Sequence, residues 1–396
     1  VPKVLRIINR LNLGGPTFNA ALLSRHLPPE FETLLVAGTR QDSEESSGHI
    51  VRDLGLSFTE LPSMQRQIRP WKDYAAYREI RRIIRDFRPD IVHTHAAKSG
   101  ALGRIAAFHE NVPVVVHTFH GHVFHSYFSP TVSKSFQFIE RRLARRTDAI
   151  IALSGKQKEE LSAEFGIAGP EKFEVIPLGF DLTRFFEPQE AKRNLFRQEY
   201  GLSEDVTAVG IVGRLVPVKN HPMFVAAAAE LLRRHPGKVR FFIIGDGESR
   251  AELLDTCEKL GIDHTYFPDE PRTAGLTFTS WRKDVDTVMA GLDIVTLTSW
   301  NEGTPVSLIE AQASGKPVVS TAVGGIEDVV LPGTTALLVP PGNQEAFIGA
   351  LEPLILSPAD RDALRRAGAD FVRQKFDYRR LCGEMAALYQ RLLNKS

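Results

Sequence analysis

Cysteine is almost missing from this chain. Its 396 residues hold two, Cys257 and Cys382, which are too few for a disulfide framework and lie in no metal-type Cys pair. Long apolar runs are missing as well: stretches such as 112–116 fall far short of the roughly 18 residues that a membrane span needs. No signal-peptide pattern stands ahead of the first strand, and with the cysteine usage this sets the expectation of a reducing, cytoplasmic location. Charge of one sign is not in excess either. Lys and Arg total 49 against 48 Asp and Glu, and the net charge of +1 gives no reason to expect nucleic acid as a partner. What is present is ordinary globular composition, 43% hydrophobic and 24% charged, in a chain long enough for two domains of similar size. The charge is unevenly spread: residues 1–180 carry 24 basic and 19 acidic side chains, so the front half is the basic half.

Val4-Leu-Arg-Ile-Ile-Asn9 is a β-rich run. A loop with Gly14-Gly15-Pro16-Thr17 follows it, and then a helical pattern through Ala20, Leu22, Leu23 and Leu27. A strand, a glycine turn and a helix form the opening unit of a Rossmann-type domain. Further strands are expected at 33–37, 91–95, 112–119 and 149–153, with a helix over 74–87 that puts Tyr77, Ile80, Ile84 and Phe87 on one face. A second series starts near residue 207, with strands at 208–212, 239–244, 294–297 and 317–320 and helices at 223–232 and 305–314. Alternation of this kind predicts parallel sheets covered by helices on both faces. The stretch Ile176-Pro-Leu-Gly-Phe-Asp181 breaks the pattern with Pro and Gly and is the expected hinge. Two doubly wound domains facing each other across a cleft are therefore predicted, with the chemistry on loops that follow strands.

The most informative stretch is Ser299-Trp-Asn-Glu302-Gly303-Thr304-Pro305-Val306 with its continuation through Glu310 to Gly315. Thr304 suits an N-cap, Pro305 the first helical position and Gly315 the end, which predicts a helix whose free amides attract an anion. Glu302 stands just before the helix start and Glu310 lies five residues into it, about 7.5 Å along the axis. The two carboxylates would bracket a bound phosphate, one reading hydroxyls of a sugar and the other the diol of a ribose. The plainer alternative is a surface loop residue and a solvated helix position. Gly213-Arg214 follows a buried strand and Lys219 lies five residues beyond Arg214, so two cations stand on a loop at a strand's carboxyl end. Such a pair is most often solvated. Beside a helix-end anion site it would stabilise the charge that builds on a departing diphosphate.

Taken in order, Gly14-Gly15 after the first strand, Gly213-Arg214 with Lys219, Gly245-Asp246-Gly247 after a strand, Glu302 and Glu310 around Gly-Thr-Pro, and Gly324-Gly325 resemble the retaining family-4 glycosyltransferases of the GT-B fold. The resemblance covers essentially the whole chain. It implies an α/β, GT-B architecture of two Rossmann-like domains: an acceptor-binding domain over 1–178, a nucleotide-sugar domain over 179–375, and a last helix over 376–396 that packs back on the first. It implies that Arg214 and Lys219 hold the donor diphosphate, that Glu310 binds the ribose, that Glu302 contacts the donor sugar, and that the first glycine loop closes over the phosphates. Gly213, Gly303, Thr304, Pro305 and Val306 complete the expected donor site. His120, followed by Gly121, is singled out as a cleft residue near donor sugar and acceptor, with His122 and His95 as acceptor-side candidates. The implied reaction is same-face attack in which the donor's own phosphate oxygen takes the acceptor proton. Three positions depart from the family's pattern: Gln312 stands for a usual Met, Ala336 for a common Gly and Leu178 for a common Asn. None removes a charge from the site, and they leave the choice of donor open.

Other constellations weigh less. His117, His120, His122 and His125 lie within nine residues, and His93 and His95 end another strand. No acidic or thiolate ligand stands at a suitable spacing for zinc, and His117 and His125 read as core or surface histidines. Asp284-Val-Asp286 invites a metal-binding reading, yet its setting is that of an acidic helix start. Gly245-Asp-Gly lacks the third glycine of the dinucleotide fingerprint. Residues 61–148 carry 15 basic and 7 acidic positions, among them Arg66, Arg69, Arg81, Arg82, Arg85, Arg141, Arg142, Arg145 and Arg146. These form either a solvated face or a surface for peripheral attachment to an anionic membrane at its inner face. The expected protein is a retaining glycosyltransferase that needs no metal and no cofactor. It would move a sugar from a nucleotide donor, a UDP-sugar by expectation, to a hydroxyl acceptor such as a lipid-linked glycan in surface polysaccharide synthesis. A sugar-nucleotide epimerase of the same fold and a sugar-nucleotide-binding protein without transfer activity are the alternatives.

Overall fold

The computed structural model describes residues 1–11, 15–39, 55–65, 67–120, 130–365 and 367–395. The chain divides into two compact units, one formed by Val1–Phe180 with Lys375–Ser396 and the other by Asp181–Gln374. It leaves the first unit between Phe180 and Asp181, within the stretch where Pro and Gly interrupt the strand and helix pattern.

In the first unit, strands β1 (Lys3–Ile8), β2 (Glu32–Gly38), β3 (Thr59–Leu61), β4 (Ile91–His95), β5 (Val114–Thr118), β6 (Ala149–Ala152) and β7 (Phe173–Val175) form one sheet in the order β3-β2-β1-β4-β5-β6-β7. Each neighbouring pair is parallel. All five residues of β4 and of β5 are buried, as a parallel sheet covered on both faces requires. One face is covered by the helix Pro70–Phe87, whose Ala76, Ile80 and Ile84 pack with Leu5, Ile7, Val36 and Val92. On the other, the helix Tyr378–Leu393 places Leu381, Met385, Leu388 and Tyr389 with Val4, Leu23, Val114 and Ile151. The helix over 70–87 starts a turn before its apolar pattern does, because Pro70 sits in the first turn, where its missing N–H has no cost.

The second unit repeats the plan. Strands β8 (Thr207–Val212), β9 (Val239–Ile244), β10 (His264–Tyr266), β11 (Leu276–Phe278), β12 (Ile294–Leu297), β13 (Val318–Thr321) and β14 (Ala336–Val339) order as β10-β11-β9-β8-β12-β13-β14, again all parallel. In both sheets the winding reverses at the first strand: β1 lies between β2 and β4, and β8 between β9 and β12. Loops leaving strands at such a switch point frame the crevice where α/β sheets bind ligands. The ends of β4, β8 and β12 are therefore the places to examine, and each ends on chemistry: His95, Gly213-Arg214 and Ser299.

Candidate functional site

In the second unit, two loops are tied into one piece. Lys219 Nζ donates to Glu302 Oε1 at 2.6 Å, and Ser299 Oγ donates to the same oxygen at 2.6 Å. Thr298 Oγ1 donates to the carbonyls of Lys219 and Asn220 at 3.0 and 2.9 Å, and the Trp300 N–H to that of Val218 at 2.8 Å. The Glu302 side chain is only 9% exposed and that of Lys219 21%, so this ion pair is largely withdrawn from water. Oε2 of Glu302 takes no bond from the described residues and stays available. Arg214 is exposed, and among the described residues its guanidinium has no partner.

Glycines let these loops approach. Gly324 has φ of 54°, and a Cβ there would lie 2.0 Å from the Glu302 carbonyl oxygen. A Cβ on Gly325 would lie 1.9 Å from the carbonyl oxygen of Gly303, and the Gly325 N–H donates to the Glu302 carbonyl at 2.9 Å. No other residue fits such contacts. The Gly245-Asp246-Gly247 turn does the same for the loop after β8: a Cβ on Gly245 would lie 2.0 Å from the oxygen of Gly213.

The helix after Glu302 runs Val306–Ala313, with Pro305 at the N-cap (φ −72°, ψ 99°) and no side-chain cap. This corrects the expected start, which placed Thr304 as the cap and Pro305 inside. The extended ψ of Pro305 moves the first helical residue on by one. The far end is as expected: Gly315 takes φ of 65°, its N–H donates to the Gln312 carbonyl at 3.0 Å, and that of Lys316 to Ala311 at 2.9 Å. Glu310 on this helix keeps part of its surface open, yet protein surrounds its carboxyl, which receives no hydrogen bond from the described residues. Burial pushes that carboxyl up to about 7; nearby Arg184 pulls it down and Asp286 adds to the rise. Gln312 is a brace, its amide donating to the carbonyls of Leu308 and Val329 while Thr335 Oγ1 donates to its Oε1. Asp284 and Asp286 stand at the start of the helix Val285–Gly291, and both are ion-paired: Asp284 with Arg282 at 2.7 Å, Asp286 with Lys192 at 3.0 Å and Arg184 at 3.7 Å.

In the first unit, histidines gather at the ends of β4 and β5. His93, His95 and His117 are all 0% exposed. His95, an acceptor-side candidate, is closed off from solvent, and its Nδ1 shares a hydrogen bond of 2.9 Å with Nε2 of His120. Nδ1 of His93 faces Arg6 Nη1 at 2.9 Å and the Tyr389 hydroxyl at 2.6 Å, and its Nε2 faces Thr118 Oγ1 at 2.7 Å. Thr94 Oγ1 lies 2.8 Å from Nδ1 of His117. Burial holds His93, His95 and His117 well below the usual histidine range and pushes His120 down to about 3, so these rings are neutral at physiological pH. Ala96, next after His95, takes φ of 65° and ψ of 166°, a conformation close to glycine's preserve. Gly15 opens the helix Gly15–His26 against Leu178, whose Cδ1 would meet an added Cβ at 3.0 Å. Gly14, Gly121, His122, His125 and Arg66 lie outside the described residues.

Sequence reasoning missed Arg184, Arg6 and Tyr389, which are recruited by packing, and gave Ser299 no role, although it follows a strand that the pattern locates.

The family model described as Glycosyltransferase Family 4 matches residues 14–184, and that described as Glycosyl transferases group 1 matches residues 192–371. The chain is 32% identical over 293 residues to the UDP-Gal:alpha-D-GlcNAc-diphosphoundecaprenol alpha-1,3-galactosyltransferase of Escherichia coli, covering 74% of this chain and 73% of that protein. It is 31% identical over 346 residues to the D-inositol 3-phosphate glycosyltransferase of Nocardia farcinica, covering 82% and 71%. Among solved structures it is similar to Anabaena HepE in complex with UDP, with a TM-score of 0.80 at 20% identity over 98% of this chain and 100% of that one.

Proposed function

The chain belongs to the family-4 glycosyltransferases of the GT-B fold, and on that premise we propose that it transfers a sugar from a UDP-sugar to a hydroxyl of a lipid-linked glycan, with retention of configuration. The observation that carries the reading is the tie of Lys219, Ser299 and Glu302 at the ends of β8 and β12, with Arg214 on the same loop unpaired among the described residues. The cations of Arg214 and Lys219 and the amides at the start of the helix Val306–Ala313 take the donor diphosphate. As the sugar leaves, charge accumulates on the diphosphate, and fixed positive groups stabilise that state more than the ground state. They also supply the charge that a divalent ion would otherwise bring.

Glu302 is oriented by its Oε1, which Lys219 and Ser299 hold, so Oε2 accepts from a donor-sugar hydroxyl. Glu310 has no donor among the described residues and accepts from the ribose diol. Glu302 and Glu310 are both taken up by donor hydroxyls in this reading, so neither serves as a covalent nucleophile. The acceptor hydroxyl attacks on the face the diphosphate leaves, and a phosphate oxygen of the donor takes its proton. His120, neutral and hydrogen-bonded to His95, stands near the donor sugar and the acceptor. The UDP in the name of the Escherichia coli relative and in the complex of Anabaena HepE supports UDP as the nucleotide, and the diphosphoundecaprenol in the former supports a lipid-linked acceptor and a role in surface polysaccharide synthesis.

A lipid-linked acceptor brings the first unit to the inner face of a membrane. No helix among the described residues is long and apolar enough to cross one. The helices Pro70–Phe87 and Pro130–Ala144 expose Trp71 (88%), Tyr74 (58%) and Phe138 (57%) among the exposed cations Lys72, Arg78, Arg82, Arg141 and Arg142. Aromatic and basic side chains together suit an anionic interface. The free charge is smaller than the count of basic residues, because Lys98 pairs with Asp73, Arg81 and Arg85 with Glu110, and Arg104 with Glu140.

Thermal unfolding with UDP-, GDP- and ADP-sugars tests the donor. A donor at 100 times its dissociation constant adds about 2.7 kcal/mol, and UDP-sugars should be the ones that stabilise. Stabilisation by a GDP- or ADP-sugar alone would refute the choice of nucleotide.

A further inference from the structure

The loop that follows β11 leaves a large apolar side chain in the open. Trp281 is 44% exposed, and it stands between two residues that are firmly held. Ser280, before it, takes φ of 59°, a conformation that costs a residue with a side chain energy and persists only where its surroundings enforce it. Gly245 does so here, its N–H donating to the Ser280 carbonyl at 3.0 Å. Arg282, after it, donates to both carboxylate oxygens of Asp284 at 2.9 and 2.7 Å, to Glu199 Oε2 at 2.9 Å and to the Tyr200 hydroxyl at 3.0 Å. The backbone that carries the indole is thus fixed before any ligand arrives, and binding to it need not order the loop.

This loop is joined to the one that carries Arg214. The Gly213 N–H donates to the Ile244 carbonyl at 2.9 Å and that of Leu215 to Asp246 at 3.0 Å, so the loops after β8, β9 and β11 are bonded in sequence, with Arg214 on the first and Trp281 on the third. Four residues beyond Trp281 the helix Val285–Gly291 begins. It packs against the helix Val306–Ala313, which carries Glu310, and its Asp286 acts on the Glu310 carboxyl. In a nucleoside diphosphate the ribose separates the diphosphate from the base. With the diphosphate at Arg214 and Lys219 and the ribose at Glu310, the base lies beyond Glu310, toward the loop that leads into the helix Val285–Gly291. The other exposed tryptophan of this unit does not compete: the Trp300 ring lies over Gly342 in the loop after β14, on the far side of the sheet from β11.

We propose that Trp281 is the platform on which the uracil of the donor stacks, an inference that rests on the reading of a UDP-sugar as donor. An indole presents a broad π face, and stacking a planar base on it removes apolar surface of both rings from water. Stacking tolerates any base. Trp281 therefore adds affinity for the nucleotide, while the choice of uracil falls to other groups.

Calorimetry on the full chain with UDP and with pyrophosphate, which has no base, separates stacking from phosphate binding. Trp281→Ala should bind UDP roughly 5- to 150-fold more weakly than the wild type, the range for losing one base–aromatic stack, and pyrophosphate equally well. Trp281→Phe, which keeps a ring, should recover most of the UDP affinity. UDP affinity of Trp281→Ala within twofold of wild type, an equal loss for pyrophosphate, or a Phe variant as weak as the Ala variant would each overturn the proposal. Tryptophan emission reads the contact in the wild type itself. UDP should quench it and pyrophosphate should not, and the quench should be gone in Trp281→Phe, which still holds Trp71 and Trp300. A quench that survives there overturns the proposal as well. If Trp281→Ala does not fold, the quench and the Phe variant decide. A wild type that binds pyrophosphate and not UDP contradicts the donor reading itself, whereas UDP bound as tightly without the indole overturns the stacking role alone.

Discussion

Arg214 and Lys219 share a loop and a charge, but their surroundings differ, and their removal should read differently. Either change to Ala should lower turnover roughly 100- to 1,000-fold, as loss of a preorganised charge at a leaving group does. Arg214 has no partner among the described residues, so Arg214→Ala should leave stability within about 0.5 kcal/mol. Lys219→Ala leaves the nearly buried Glu302 without its cation and should also cost about 1–3 kcal/mol of stability. Steady-state kinetics beside denaturant unfolding check both, and full turnover in both variants would remove them from the mechanism. Glu310 makes a prediction in pH. Its carboxyl titrates near 7 in the folded chain against 4.5 when solvated, so below about 4.5 it is protonated in both states and costs nothing. As pH rises through 7 the folded chain must carry the charge, and stability is lost, by at most about 3 kcal/mol and less because the side chain keeps some solvent. Ligand-free Glu310→Gln should therefore be the more stable protein at pH 8, and calorimetry should show weaker UDP binding that no longer improves between pH 6 and 8. Wild-type affinity flat over that range would contradict the assignment. Charged residues of this kind were readable from the sequence, because residue type and a strand-end position suffice to nominate them. Arg6 and Tyr389, 383 residues apart, were not, since only the packed fold brings them to one histidine.

Among the elements, the longer central strands could be read and the three-residue ones could not. The strands at 91–95, 239–244 and 294–297 have the predicted bounds, because each is built mainly of apolar or β-branched residues and is buried on both faces. The strands Thr59–Leu61, Phe173–Val175, His264–Tyr266 and Leu276–Phe278 have three residues each, too few to show a period. The helix start at Val306 was misplaced by one residue because Pro suits both a cap and a first turn. The helices Pro70–Phe87 and Pro130–Ala144 carry a prediction of their own. Each exposed Lys or Arg near an anionic bilayer contributes about 1 kcal/mol, so the five exposed cations named above suffice for reversible attachment. Sedimentation with anionic vesicles should recover the protein at low salt and release it at high salt, and Trp71→Ala should weaken the low-salt binding. A protein that ignores anionic vesicles at low salt has a solvated basic face and a soluble acceptor.

At the scale of the whole molecule, each unit is a parallel sheet with its switch point at the first strand, and each brings its chemistry to loops at those strands' carboxyl ends. The fold was readable because alternating strands and helices specify a parallel sheet wherever they occur. The identity of the transferred sugar was not, because it turns on how loops such as the one carrying Ser299 are placed, which only the folded chain decides. The central claim is that this glycosyltransferase retains configuration with side-chain cations in place of a divalent ion. Proton NMR of the product formed from a UDP-α-sugar and glycolipid acceptors in excess EDTA tests it most directly. The account predicts transfer with an α-linked product. A β-linked product, or activity abolished by the chelator and restored by manganese or magnesium, would contradict it.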